Sequence, residues 1–230
     1  MERKKYVVLV AGGSGTRMGA CSPKQFLLLG GVPVLQRTLS RFAEACPDAA
    51  FITVLPKEHF RTWKDLCIEY CCNEQQTLVA GGLTRFHSVR GALEAVPPGA
   101  LVAIHDGVRP LVSVSLIKEM FARMDSCRAL IPVIPEVDTL KCLDTREDGS
   151  LTVGGPDPDR GRVFRAQTPQ LFRSEEIKAA YGQAFDLSFT DDASVASRAG
   201  IPLSFIMGER RNIKITTPSD LEFASLLLGL

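Results

Sequence analysis

Apolar residues along this chain alternate between short unbroken runs and longer stretches in which they recur every three or four positions. The runs at residues 7–10, 51–55, 77–80, 101–104 and 129–133 read as buried strands, because a strand covered on both faces has no polar side to present. Between them, residues 34–45 carry Leu35, Leu39, Phe42 and Ala43 at helical spacing and stop at Cys46-Pro47. Residues 58–70 repeat that pattern with Phe60, Trp63, Leu66 and Cys67. A third helix spans residues 85–96 ahead of the breaker Pro97-Pro98-Gly99, and a fourth, capped by Ser113 or Ser115, runs to Met124. Strands alternating with helices in this way predict an α/β fold with a doubly wound, mainly parallel sheet, whose ligands collect at the carboxyl ends of the strands.

The pattern changes after residue 135. Residues 139–143 and 150–153 alternate like strands, and Glu147-Asp148-Gly149 supplies the turn of a β-hairpin between them. Residues 154–162 are too polar to pack a core. Such a hairpin is not stable in isolation, so residues 136–162 read as an arm inserted into a single domain spanning residues 1–230, leaning on a second copy of the chain in a homodimer. Residues 163–167 return to the sheet and end in Thr168-Pro169-Gln170. Residues 174–185 form an amphipathic helix opened by Ser174, with Glu175 and Glu176 where negative charge is favoured. Thr190-Asp191-Asp192-Ala193-Ser194 opens a short helix closed by Gly200, residues 203–207 form a strand, and Thr217-Pro218-Ser219-Asp220 caps the last helix.

Composition narrows the partners. At 230 residues and 45% hydrophobic content the chain has material for a sizeable core. A net charge of +1 gives no global attraction to nucleic acid or acidic membranes, so neither is expected as a partner. The first apolar run is too short for a signal-peptide core or a membrane span, which predicts a cytoplasmic protein. Seven cysteines include the cluster Cys67, Cys71 and Cys72, but no matching CxxC pair exists, and these read as free thiols rather than a zinc site.

The chemistry concentrates after the first strand, in Ala11-Gly12-Gly13-Ser14-Gly15-Thr16-Arg17-Met18-Gly19, joined by a short spacer to Pro23-Lys24-Gln25. Glycines there let backbone N–H groups approach an anion, and Arg17 and Lys24 add positive charge, which together suit a polyphosphate. No Gly-Lys pair exists, so this is not a Walker loop. Met18 stands where a dinucleotide fingerprint needs its third glycine, and Pro56-Lys57 follow the second strand in place of an acid. Taken alone, the loop remains either a phosphate cradle or a glycine-rich turn with solvated cations.

Further segments follow the third and fourth strands: Gly81-Gly82-x-x-Arg85-x-x-Ser88-Val89 and His105-Asp106-x-x-Arg109-Pro110. Later come Asp138-Thr139, Asp159-Arg160, Thr168-Pro169-Gln170, Thr190-Asp191-Asp192-Ala193-Ser194 and Asn212-Ile213-Lys214. In this order and spacing, over nearly the whole chain, the set resembles the polyol-phosphate cytidylyltransferases, and within them those that make 4-diphosphocytidyl-2-C-methylerythritol in non-mevalonate isoprenoid synthesis. The chemistry agrees with the motif set. A phosphate monoester is already largely ionised near neutral pH, with a second pKa of about 6, so attack on the α-phosphorus of CTP needs preorganised cations rather than a general base.

The resemblance implies a Rossmann-like nucleotidyltransferase fold and a set of roles. Ala11, Gly12, Gly13, Gly15, Gly81, Gly82, Arg85, Ser88 and Asp106 would bind CTP, while Arg17 and Lys24 stabilise charge at the transferred phosphate. Lys214 would align the attacking phosphate. Asp106, Arg109, Thr139, Arg160, Thr168 and Thr190 would hold the polyol phosphate, with Thr139 and Arg160 offered across a dimer by the arm. Mg²⁺ is the expected cofactor, and Asp106 suits either the ion or a substrate hydroxyl. The plainer readings stay open from sequence alone: Ser88 as a helix-surface hydroxyl, Arg160 as a solvated loop charge, Thr168 and Thr190 as cap or turn residues, and His105 as a strand-end residue held by hydrogen bonds.

Gly107-Val108 and Leu83 depart from the family pattern, which more often has two alanines and an acid there. Related enzymes that transfer CMP to ribitol 5-phosphate can carry valine at the position of Val108, so ribitol 5-phosphate is the alternative alcohol. A sugar-1-phosphate nucleotidyltransferase is a wider alternative, and a nucleotide-binding regulatory protein without catalysis is the alternative from another class.

Overall fold

The computed structural model of the protein describes residues 3–13 and 23–229. Five of the expected strands form the parallel part of one sheet: β1 (Lys5–Val10), β4 (Ala50–Leu55), β5 (Gln76–Ala80), β6 (Leu101–Asp106) and, further along, β7 (Ala129–Pro135). Strand β1 lies in the centre, parallel to β4 on one side and β6 on the other. The alternation of side chains then decides the two faces. Val7 and Leu9 point to one cluster, packed by Leu35, Leu39 and Phe42 of α1 (Val34–Ala45), Trp63 of α2 (Phe60–Glu69) and Ile117 and Met120 of α4 (Val114–Arg123). Val8 points to the other, packed by Phe86, Val89 and Leu93 of α3 (Arg85–Glu94), Ile177 of α5 (Ser174–Ala180) and Val195 of α6 (Asp192–Arg198).

Three elements were not expected. Leu28–Leu29 (β2) and Val32–Pro33 (β3) form a small hairpin whose turn is Gly30-Gly31, both at positive φ, where a side chain would be strained. Strand β11 (Gln170–Arg173) lies antiparallel between β6 and β7, in the middle of the sheet. Strand β10 (Phe164–Ala166) runs along the same edge of β7, but two residues out of register with β11, so Thr168 and Pro169 bulge out of the ladder. The bulge sits beside the carboxyl end of β6 and aims Thr168 at it. Strand β12 (Leu203–Met207) closes the far edge, parallel to β7, with Phe205 and Met207 exposed. Helix α7 (Pro218–Leu227), opened by a Thr217 capping box with Pro218 at its start, packs with Leu29, Val108 and Ile215 in a third cluster.

The arm is a separate two-stranded sheet of β8 (Leu143–Thr145) and β9 (Leu151–Val153), closed by Arg146–Ser150 and Gly149–Arg146 backbone bonds. The expected strand at 139–143 is thus displaced to Leu143–Thr145. Its partner strand ends at Val153, where Gly154-Gly155-Pro156 turns away and Pro156 has no N–H to donate, so Thr139 has no ladder to join. Two helix ends also differ from expectation. Ser174 is the first helical residue of α5 and does not cap it: its hydroxyl donates to Pro97 O at 2.8 Å and accepts from Ala100 N–H at 2.9 Å. The helix ends at Ala180 rather than residue 185, because Tyr181 turns inward to a buried partner and Gly182 follows.

Candidate active site

The parallel register sets Val10 opposite Asp106, so the loop after β1 and the loop after β6 begin side by side. A cavity of about 380 Å³ opens there, lined by Ala11, Gly12, Gly13, Lys24, Gln25, Gly82, Leu83, Thr84, Arg85, Ser88, Asp106, Val108 and Lys214, with Val10 at its floor. The carboxyl-edge placement expected for a parallel sheet therefore holds. Gly15 and Arg17 lie outside the described residues.

The loop after β1 is held at both ends. Ala11 N–H donates to Val54 O at 2.9 Å, and Ala11 O accepts from the buried Gln25 side chain at 3.0 Å, which ties the glycines to the 3-10 turn carrying Lys24 (Lys24–Phe26). Phe26 in that turn stacks on Trp63 at 6.1 Å between ring centroids. Gly81-Gly82 is fixed next: Gly82 N–H donates to Ser88 Oγ at 3.0 Å, and Ser88 donates in turn to Thr84 O at 2.9 Å. A Cβ on Gly82 would meet His87 Cβ at 2.5 Å and the His87 backbone carbon at 3.0 Å, so only glycine fits. Gly107 is less tightly constrained, since a Cβ there would lie 2.9 Å from Leu35 Cδ1, the end of a flexible side chain, and 3.0 Å from Ala11 Cβ.

Asp106 is the electrostatic hub. Its Oδ2 takes Lys214 Nζ at 3.0 Å and Arg109 Nε at 3.1 Å, while Oδ1 faces Arg85 Nε at 3.7 Å. Burial alone would raise the pKa of this carboxyl, but Arg85, Lys214 and Arg109 outweigh it and hold the group ionised, well below the usual carboxylate range. Arg85 is in turn forked onto Asp192, with bonds of 2.8 and 2.6 Å, and Tyr181 Oη donates to Asp192 Oδ1 at 2.5 Å. Burial opposes the charge on Arg85, yet Asp192 and Asp106 prevail and raise its pKa. The Tyr181 hydroxyl is pushed upward by burial and by Asp192. Cations thus outnumber carboxylates around the cavity, as an anionic ligand requires.

His105 is fully buried and has a structural role. Its Nε2 lies 3.2 Å from Arg109 O, which can only accept, so Nε2 carries the proton and Nδ1 accepts from Thr168 Oγ1 at 2.9 Å. Thr168 Oγ1 then accepts from Asp106 N–H at 3.1 Å. Burial pushes the His105 pKa down to about 3, in keeping with a neutral ring. Asn212 is likewise fully buried; it donates to Thr168 O at 2.8 Å, and its own carbonyl accepts from Arg109 at 2.9 Å.

The structure thus brings together Ala11, Gly12, Gly13, Lys24, Gly82, Arg85, Ser88, Asp106 and Lys214, with Gly81, Arg109 and Thr168 directly behind them. It leaves three expected residues off the cavity wall. Thr139 and Arg160 are exposed on the arm, where Arg160 donates to Val137 O at 3.1 Å, and Thr190 is exposed in the turn before α6. Asp192, Tyr181 and Gln25 were not anticipated as part of the site. The doubled acid Asp191-Asp192 carried the signal: Asp191 alone caps α6, accepting from Ser194 N–H at 2.8 Å, which leaves Asp192 free to face inward.

A family model described as 2-C-methyl-D-erythritol 4-phosphate cytidylyltransferase matches residues 6–229. The chain belongs to that family. A 2-C-methyl-D-erythritol 4-phosphate cytidylyltransferase of Porphyromonas gingivalis W83 is 48% identical over 229 residues, covering 99% of both chains. One from Bacteroides thetaiotaomicron is 45% identical, covering 98% of this chain and 100% of that one. Among solved structures, the 4-diphosphocytidyl-2C-methyl-D-erythritol synthase of Anaerococcus prevotii aligns over the full length of both chains with a TM-score of 0.80 at 29% identity. Membership of the 2-C-methyl-D-erythritol 4-phosphate cytidylyltransferase family makes the chain a nucleotidyltransferase of isoprenoid precursor synthesis. The ribitol 5-phosphate, sugar-1-phosphate and non-catalytic readings are not favoured by these matches.

Proposed function

We propose that the protein transfers CMP from CTP to 2-C-methyl-D-erythritol 4-phosphate and releases pyrophosphate, with the cavity between the β1 and β6 loops as the site of transfer. The observation that carries this reading is the convergence of Lys24, Arg85 and Lys214 on one cavity that Gly12 and Gly13 also line. Gly12 and Gly13 N–H groups receive the triphosphate, and Ser88, held by Thr84 and Gly82, faces the base at the edge of the Gly81-Gly82 turn. Lys24 stabilises the charge that grows on the α-phosphate, together with Arg17. Lys214 and Arg109 draw the polyol phosphate in line by charge, and Asp106 keeps both cations aimed until the anion takes its share of them.

Among the described residues no group of three or more His, Cys, Asp or Glu side chains could hold a metal. One carboxylate in the cavity fits an ion that keeps its water and is bound mainly through substrate phosphates. Mg²⁺ would be held by Asp106 Oδ1, whose described cationic neighbour, Arg85 Nε, stands beyond hydrogen-bond distance at 3.7 Å. The ion would supply neutralising charge for the triphosphate. The exposed apolar residues Leu143, Leu151 and Val153 give the arm a surface suited to a second copy of the chain, and a homodimer would bring Thr139 and Arg160 to the partner's cavity. No helix among the described residues is long and apolar enough to cross a membrane, and we place the enzyme in the cytoplasm with its small-molecule substrates.

The test is pyrophosphate release with Mg²⁺, comparing 2-C-methyl-D-erythritol 4-phosphate with ribitol 5-phosphate, each against CTP and UTP. Turnover with CTP and the methylerythritol phosphate is expected to dominate. Equal or higher turnover with ribitol 5-phosphate would overturn the assignment of the alcohol.

A further inference from the structure

The far end of α2 carries a second cluster of reactive side chains, remote from the cavity lining. The helix closes in a Schellman motif: Cys72 N–H donates to Cys67 O at 2.8 Å and Cys71 N–H to Ile68 O at 3.4 Å, with Cys71 in the left-handed region at φ 52°. In that motif the residue two past the cap folds back against the third residue from the helix end, and these two normally make an apolar contact. Here both are cysteines. Cys67 and Cys72, both partly buried, pack against the same core.

The surroundings give the two sulfurs different roles. Cys72 Sγ donates to Glu74 Oε2 at 3.2 Å, and Glu74 Oε1 is itself held by Ser40 Oγ at 3.2 Å. Gln76 Nε2 donates weakly to Cys67 Sγ at 3.9 Å. The neighbouring Cys72 side chain lowers the Cys67 pKa, while Cys67, burial and the Glu74 carboxylate raise that of Cys72. Cys67 is therefore the more nucleophilic sulfur and Cys72 the resolving one.

We propose that Cys67 and Cys72 form a redox-active dithiol site that a small organic disulfide oxidises reversibly to a disulfide spanning the C-terminal turn of α2. The Cys67 thiolate attacks one sulfur of oxidised glutathione and releases one glutathione thiolate, leaving a mixed disulfide on Cys67. Cys72 gives its proton to the Glu74 carboxylate and attacks the Cys67 sulfur, which breaks the mixed disulfide and releases the second glutathione. The protein loses two electrons and two protons, which leave as two molecules of reduced glutathione. Cys71, exposed and held outward by its left-handed backbone, is not a partner in the bond.

The full chain is incubated with oxidised glutathione, alkylated, and analysed without reduction by mass spectrometry after cleavage at Glu69, which separates the two cysteines unless a disulfide joins them. The expected result is loss of two of the seven thiols with no retained glutathione mass, a cross-linked pair of peptides, and full recovery with dithiothreitol. Cys71→Ser should behave as the parent protein, and Cys72→Ser should retain one glutathione on Cys67. Glutathione carried on Cys71 while Cys67 and Cys72 stay reduced in the parent protein would overturn the proposal.

Discussion

Replacing Asp192 by Asn removes the charge that anchors Arg85 beside Asp106 while keeping the shape of the side chain. Asp192 is fully buried and receives three hydrogen bonds to its two oxygens, two from Arg85 and one from Tyr181. Breaking a buried pair by removing one partner costs about 3–5 kcal/mol. The Arg85 side chain is 27% exposed and keeps Asp106 as a second carboxylate at 3.7 Å, so water and that neighbour recover part of the loss and the lower end, about 3 kcal/mol, applies. For a chain of this length each kcal/mol lowers Tm by about 2–4 °C, so Asp192→Asn should melt about 6–12 °C below the parent. Tyr181→Phe removes one hydrogen bond to a charged acceptor, worth about 1.5–3 kcal/mol. The two changes act on one carboxylate, and their combined effect should fall short of the sum. Circular dichroism melts of the single and double variants measure all three quantities. A Tm for Asp192→Asn within about 2 °C of the parent would refute the claim that this carboxylate anchors the site.

Lys24→Ala should depress kcat far more than it raises the KM for CTP, because its charge is used as the α-phosphate reacts; equal turnover in a pyrophosphate-release assay would refute that role. Gly82→Ala forces the new Cβ onto the His87 backbone and should raise the KM for CTP about tenfold or more while 2-C-methyl-D-erythritol 4-phosphate is little affected, read by substrate titration. His105 sets a pH dependence: its pKa falls from 6.5 to about 3 on folding through burial, so below pH 6.5 the unfolded chain takes up a proton that the folded one refuses. Stability is therefore full above pH 6.5 and declines by up to about 1.4 kcal/mol per pH unit on acidification toward pH 3, and denaturant melts of His105→Gln should show a shallower slope between pH 6.5 and 4. Mixing inactive Lys24→Ala and Arg160→Ala proteins should restore activity if Arg160 serves the partner's cavity, and no recovery after subunit exchange would place Arg160 outside the reaction.

The parallel strands and the helices between them were legible because each is announced locally, by an apolar run or by a repeat of three and four residues. Strand β11 was not. Gln170-Leu171-Phe172-Arg173 is short and polar at both ends, and it enters the sheet only because the bulge at Thr168-Pro169 carries the chain past the end of β6. Nothing in its own composition marks it as central, since the decision is made by two strands far away in sequence. The arm was legible as a hairpin but not in register, because the exit of β9 at Gly154-Gly155-Pro156 ends the ladder before it reaches Thr139, where alternation alone suggested a strand.

The cations of the site and Asp106 could be read from the sequence, whereas the other groups that hold them could not. Lys24 and Arg85 follow glycine-rich segments, and Arg109 and Lys214 stand in the motifs His105-Asp106-x-x-Arg109-Pro110 and Asn212-Ile213-Lys214. Their counterparts are carboxylates and amides with ordinary local explanations: Asp192 follows a helix cap, Gln25 opens a turn, and Asn212 precedes an apolar segment. Arg85 and Asp192 are 107 positions apart, so their pairing appears in no local pattern. The consequence is physical. A guanidinium that must meet an anion in one orientation needs a rigid carboxylate behind it, and the fork from Arg85 to Asp192 fixes two nitrogens while its Nε remains turned toward Asp106. An Arg85→Lys variant keeps the charge but has a single nitrogen, which cannot bridge Asp192 and face Asp106 at once. Its activity should fall below that of the parent, and parental activity in Arg85→Lys would mean that charge alone, without the fork, is what the site requires.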